Sequence, residues 1–270
     1  MAGQWRPIKD THAIDMIAFV VQYPSPLPSL LLSKLLQIVS SHLKELGLVN
    51  SRPTDGMAID LRPDGPPVAT RTSSGMEFWS GSREFDEKVA VDGHSIIYRI
   101  RRFMPWADQS ERLGKVLAPA LEMLSEVTVP AVLRLEYLDR FWFDGKFSEA
   151  DPSLLLNAKS KNFSSHILNR RSLWHSHTGA FLSSNDPYPH VLQINIDALD
   201  VALDEARPEA VRAVHIMTAR EDRLSMGPVD TRHASPQFIL SWANTAHGEL
   251  KPVLSDILHS TMVDRIGLAK

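Results

Sequence analysis

The residues best equipped for chemistry fall on one stretch, Leu133-Arg134-Leu135-Glu136-Tyr137-Leu138-Asp139-Arg140-Phe141. Read as a β-strand, its side chains alternate between two faces. Leu133, Leu135, Tyr137, Asp139 and Phe141 share one face, and Arg134, Glu136, Leu138 and Arg140 share the other. Arg134, Glu136 and Arg140 can then cross-brace one another. Arginine presents a planar fork that suits carboxylates and other anions, so this face could be an anion pocket built on a strand. The plainer reading is a salt-bridge ladder on a solvated sheet face or at a seam between lobes, because ion networks often serve structure.

Three other groups carry weaker signals. His175 and His177 are two apart on a predicted strand and so point the same way. They could hold a divalent metal if further ligands arrived from His190, His215, His233, Asp186 or Asp197. A pair of surface or hydrogen-bonded histidines is the more common outcome. Asn244 and His247, three apart on a predicted helix, share a face and could bind a ligand. Arg99, Arg101 and Arg102 at the end of a hairpin could contact nucleic acid.

Other chemistry is excluded by what the chain lacks. It has no cysteine, which removes disulfides, thiolate zinc sites, iron–sulfur clusters and cysteine nucleophiles. There is no Gly-x-Ser-x-Gly elbow, no Walker A loop and no Gly-x-Gly-x-x-Gly, so no cofactor is expected. A net charge of −3 argues against a protein devoted to wrapping nucleic acid.

The 270 residues suit one large domain or two packed lobes. Ile14 to Tyr23 reads as a strand ended by prolines. Ser29 to Leu46 reads as a helix, with Leu32, Leu35, Leu36, Val39, Leu43 and Leu46 at helical spacing and Gly47 as its stop. Asn50 to Ser74, rich in Pro and Gly, is predicted as a long loop or arm. Strands follow at Met76–Ser80, Lys88–Val91 and Ser95–Phe103, with a positive-φ hairpin turn expected at Asp92-Gly93. A helix from Asp108 or Ser110 to Val127 carries Pro119 as an expected kink or break. Pro130 to Phe143 is a long strand, and Gly145 to Arg171 is polar and helical in pieces. Strands at Leu173–Leu182, His190–Ile196 and Ala213–Ala219 precede a helix capped by Ser235, running towards Met262 with a kink at Pro252.

The order of three strands then a long helix thus occurs twice. It predicts an α+β fold of two similar lobes, each an antiparallel sheet with a long helix on one face. The expected division is an N-terminal lobe over 1–144, a connection over 145–171 and a C-terminal lobe over 172–270.

From Leu133 to Phe141 the chain resembles a sporadically distributed, uncharacterised prokaryotic family of about this length, whose members carry an LRYxNR strand near the middle. Tyr137 and Arg140 match that motif, while Glu136 and Asp139 stand where the family has arginine and asparagine. The resemblance extends to the opening strand with its proline-rich exit and to the final helix with His247, Ser260 and Thr261. Patchy occurrence in bacteria and archaea implies mobile or defence-linked genes.

The resulting expectation is a cytoplasmic, non-enzymatic binding or regulatory subunit of a phage-defence or toxin–antitoxin system. Arg134, Glu136, Tyr137, Asp139, Arg140, Asn244 and His247 would supply its contacts. Its partner would be another protein encoded nearby, with homo-oligomers left open and no membrane. A metal-dependent hydrolase or nuclease on His175 and His177, and a nucleic-acid module on Arg99, Arg101 and Arg102, are the alternatives.

Overall fold

A computed structural model describes residues 3–60, 68–81, 86–182, 185–204 and 207–268, leaving aside the side chains of 55–60, 68–73, 203–204 and 207–208. The described chain is mixed helix and strand, with a large antiparallel sheet and four α-helices. In order these are β1 (Gln4–Pro7), β2 (Ile14–Gln22), α1 (Ser29–Glu45), β3 (Asn50–Asp60), β4 (Val68–Trp79), β5 (Glu87–Asp92), β6 (Ser95–Ile100), α2 (Trp106–Ser125) and β7 (Val132–Asp144). They continue with β8 (Trp174–Leu182), β9 (His190–Asp204), β10 (Arg207–Asp222), α3 (Pro236–Ile257) and α4 (Ser260–Arg265). No described helix is long and apolar enough to cross a membrane.

Two compact units are built from non-contiguous stretches. One comprises Met1–Ile17, Arg134–Arg223 and Trp242–Lys270, and the other Ala18–Leu133 and Leu224–Ser241. In the second unit the strand order is β3-β4-β5-β6-β2. Helix α1 buries Leu35, Val39 and Leu43, and α2 buries Leu113, Val116, Leu117, Ala120, Leu121 and Leu124. Arg112 on α2 forks onto Glu87 at 2.8 and 3.1 Å, and Tyr98 donates to the same carboxylate at 2.9 Å. With Glu87 buried, this charge-assisted cluster pins α2 to β5 and β6.

The predicted loop over 50–74 is instead the paired strands β3 and β4, in antiparallel register from Asn50↔Trp79 to Thr54↔Gly75 and, after one register shift, to Asp60↔Val68. Residues 61–67 of that stretch lie outside the described residues. The prolines and glycines that suggest a loop are tolerated because β3 ends the strand order, where Pro53's missing N–H breaks no ladder. Gly75 is required by close approach. A β-carbon there would meet the Val91 carbonyl oxygen and come within 2.7 Å of Asp92 Cα. Gly75→Ala is therefore expected to cost about 1–3 kcal/mol of stability in urea unfolding, the usual price of overpacking.

The Asp92-Gly93 turn also differs from expectation, since neither residue has positive φ. Asp92's carboxylate makes the turn itself, accepting from the backbone N–H groups of His94 and Ser95 at 2.7 Å each and from Ser95 Oγ at 3.0 Å. This Asx-type arrangement satisfies the turn without a left-handed residue. Helices α2 and α3 continue through Pro119 and Pro252. Helix α1 ends as expected at Gly47, whose φ is 90°. Ser235 caps α3, its Oγ accepting from Phe238 N–H at 3.1 Å. The polar 145–171 segment holds three short 3-10 turns, at Phe147–Glu149, Pro152–Leu154 and Ser165–Asn169.

In the first unit the strands run β7-β10-β9-β8, with β1 also on β7. The core gathers Phe141 and Phe143 of β7, Ile194 and Ile196 of β9, Val214 and Ile216 of β10, and Leu254 and Ile257 of α3.

Candidate functional site

Alternation on β7 holds, for its odd-numbered residues from Leu133 to Phe143 are buried and its even-numbered ones from Val132 to Trp142 half-buried. Register carries the same division across the first unit. Ile216 pairs with Ile196 and Ser176 with Ile196, while Asp197 pairs with both His215 and His175. Residues directly opposite share a face. One face therefore carries Tyr137, Asp139, Arg220, Asp222 and His190, covered by α3. The other carries Arg134, Glu136, Arg140, His215, Asp197, His175 and His177.

On the second, half-buried face Arg134 is a hub. It donates to Glu136 at 2.8 and 3.1 Å, to Gln193 Oε1 at 3.0 Å and to Glu221 Oε2 at 3.2 Å. Glu221's other oxygen accepts from Arg223 Nε at 2.8 Å. Five side chains from β7, β9 and the end of β10 thus form one network, with Arg134, Glu136 and Glu221 only 18–24 % exposed. Arg140 lies six residues farther along β7. It pairs with Asp15 of β2 at 2.9 Å.

Farther along this face His177 Nε2 lies 2.9 Å from Asp197 Oδ1, and the rings of His175 and His177 are 5.3 Å apart. Burial, and after it the charge of Arg140, holds His215 down to about 4. Among the described residues no group of three or more His, Asp or Glu is arranged to hold a metal ion. His233 sits in the other unit, beside Asp230.

On the covered face the Tyr137 hydroxyl lies 2.8 Å from His247 Nδ1. This brings together two of the expected residues from strand and helix. Asn244, one turn earlier on α3, is exposed. Burial, then the Asp139 charge, pushes the Tyr137 hydroxyl's pKa up and keeps it protonated, and burial, then Lys251, lowers His247 to about 4. Asp139 is 1 % exposed, and neither carboxyl oxygen has a hydrogen-bond partner among the described residues. Burial, then the Asp15 charge, pushes its carboxyl up to about 7.

A buried cluster centres on Arg220 and Asp222, which the sequence reading passes over, and takes in His190 and Asp186, which that reading offered as metal ligands. Arg220 forks onto Asp222 at 3.0 and 3.1 Å, and Trp242 Nε1 donates to Asp222 at 2.6 Å. Arg220 also pairs with Glu249. His190 Nδ1 is 2.9 Å from both Arg220 Nη2 and Asp222 Oδ2, and its Nε2 is 2.9 Å from Asp186. Guanidinium can only donate. A hydrogen on Nε2, given to Asp186, therefore lets Nδ1 accept from Arg220. The available signal was the run Arg220-Glu221-Asp222-Arg223, whose alternation sends one acid–base pair to each face.

In the second unit Arg99 is exposed and opposite Lys88, which is itself tied to Glu77 at 2.7 Å. Arg101 and Arg102 lie beyond the end of β6, which stops at Ile100 and not at the predicted Phe103. Compared with known proteins, the chain matches no family model, and no curated protein matches it.

Proposed function

We propose that the chain is a non-enzymatic binding or regulatory subunit that contacts another protein through the polar face of its first unit that carries Arg134. The observation carrying this reading is the network of Arg134, Glu136, Gln193, Glu221 and Arg223. Its side chains are already ordered by one another, so a partner meets a surface whose ordering entropy is largely spent before binding. Arginine at a half-desolvated position is also the residue type that most often dominates interface energetics. A prokaryotic accessory system of the phage-defence or toxin–antitoxin kind is the setting suggested by the LRYxNR-like strand.

The two-lobe plan belongs to the same proposal. Each unit contributes four successive antiparallel neighbours, β3-β4-β5-β6 or β7-β10-β9-β8, and two helices.

The test is to isolate the tagged full chain from its own cells and map hydrogen exchange with and without the co-purifying protein. Protection concentrated at 132–140 and 215–223, with the partner lost in Arg134→Ala, is expected. No stoichiometric partner, or one retained by a folded Arg134→Ala variant, would overturn the reading.

A further inference from the structure

Strand β8 ends the strand order and pairs on one side only, with β9. Among the described residues no other backbone–backbone hydrogen bond reaches 174–182; the 162–164 segment meets only side chains of β8, with Ser164 N–H donating to Ser176 Oγ at 3.5 Å and Thr178 Oγ1 donating to the Asn162 carbonyl at 2.9 Å. Such an edge presents unpaired N–H and C=O groups, and proteins usually blunt it with lysine, proline, a bulge or shortness. β8 has none of these over its nine residues, Trp174-His175-Ser176-His177-Thr178-Gly179-Ala180-Phe181-Leu182. Its register with β9 is unbroken from Trp174↔Ala198 to Leu182↔His190. Phe181 is 69 % exposed, and Leu173 55 %.

What an open ladder accepts is another extended backbone, and the sequence of β8 fits its own copy. We infer that two copies of the chain pair antiparallel along β8, about a two-fold axis at Thr178. Residues directly opposite in an antiparallel pair must have the same hydrogen-bonding orientation, so the axis has to fall on a residue. Full-length pairing of nine residues puts it at the central one, Thr178. Trp174 then faces Leu182 of the second copy, and His175 faces its Phe181, so each ring at one end meets a large apolar side chain at the other. Thr178 faces itself. The strand has no Asp, Glu, Lys or Arg, so no like carboxylates, ammonium or guanidinium groups are brought together. The contact is isologous and closes on itself, as a two-fold dimer requires. It uses the strand's edge, while the Phe181 ring also lies 5.9 Å from the Arg223 guanidinium of the face proposed above, so the dimer is read by sedimentation and cross-linking and not by partner binding.

Sedimentation of the purified full chain should show a dimer in concentration-dependent exchange with monomer. Phe181→Lys, at an exposed site where folding is not at stake, should raise the dimer Kd about tenfold or more, since symmetry applies it twice. The absence of cysteine allows a test of register. Thr178→Cys should form an inter-chain disulfide on mild oxidation, the two Cα atoms lying within bridging range. His175→Cys alone should not, as its symmetry mate is roughly 20 Å away, whereas His175→Cys with Phe181→Cys should. A monomer at every concentration would overturn the inference. So would a dimer indifferent to Phe181→Lys, or one that cross-links equally through His175→Cys and Thr178→Cys.

Discussion

Asp222→Ala is expected to destabilise the protein by about 3–5 kcal/mol, the cost of stranding one partner of a buried ion pair. Asp222 is fully buried, and its two oxygens accept three hydrogen bonds, two from Arg220 and one from Trp242. Removing it leaves the buried guanidinium with Glu249 and His190 alone, and leaves the Trp242 N–H without its acceptor. The pair itself is not what stabilises. Replacing Arg220 and Asp222 together by Met and Leu should recover most of the loss, because desolvation of both charges is then also removed. Urea unfolding of the two variants reads both effects. A loss below about 1 kcal/mol in Asp222→Ala, the worth of an ordinary hydrogen bond, would mean the cluster is open to water.

Asp139→Leu has the opposite sign, and at pH 8 it is expected to stabilise the protein by about 2–4 kcal/mol. The folded carboxyl titrates at about 7, against about 3.9 in the unfolded chain. Between about pH 4 and 7 the unfolded state has released a proton that the folded state still holds. Stability therefore falls as pH rises through that window and is level above it, a difference of about 4 kcal/mol over roughly three units. The leucine forgoes that penalty, less some strain from its larger volume. His215 and His247 oppose this slope. Both are held to about 4 from 6.5, so the stability they contribute is present above about 6.5 and is lost as pH falls towards 4. In the wild type the two trends offset each other. In Asp139→Leu the histidine slope is no longer offset by Asp139, so the variant should lose stability steeply on acidification. Unfolding curves across pH 4–8 check this, and a variant no more stable than wild type at pH 8 would contradict the account of Asp139.

Much of this was legible before the fold. The alternation on β7 separates Arg134 and Glu136 from Tyr137 and Asp139, and the helix after Ser235 places His247 where it meets Tyr137. Long-range register was not legible. Nothing local shows that Asp197 sits between His175 and His215 or that Arg140 reaches Asp15, since those neighbours are set by strand pairing. The β3–β4 pair was hidden because Pro53, Gly56 and Gly75 read as breakers, whereas an edge position and a close backbone approach accommodate Pro53 and Gly75. The Arg220–Asp222 cluster was missed because Trp242 and Glu249 arrive from a helix twenty residues and more away in sequence.

The most direct test of the proposed contact face is the affinity of the purified partner for the intact protein and for Arg134→Ala. Glu136, Gln193 and Glu221 all hang on that one guanidinium, so the account predicts a loss of at least about tenfold in Kd while Asn244→Ala binds normally. Binding by a folded Arg134→Ala variant that stays within about twofold of wild type would contradict it.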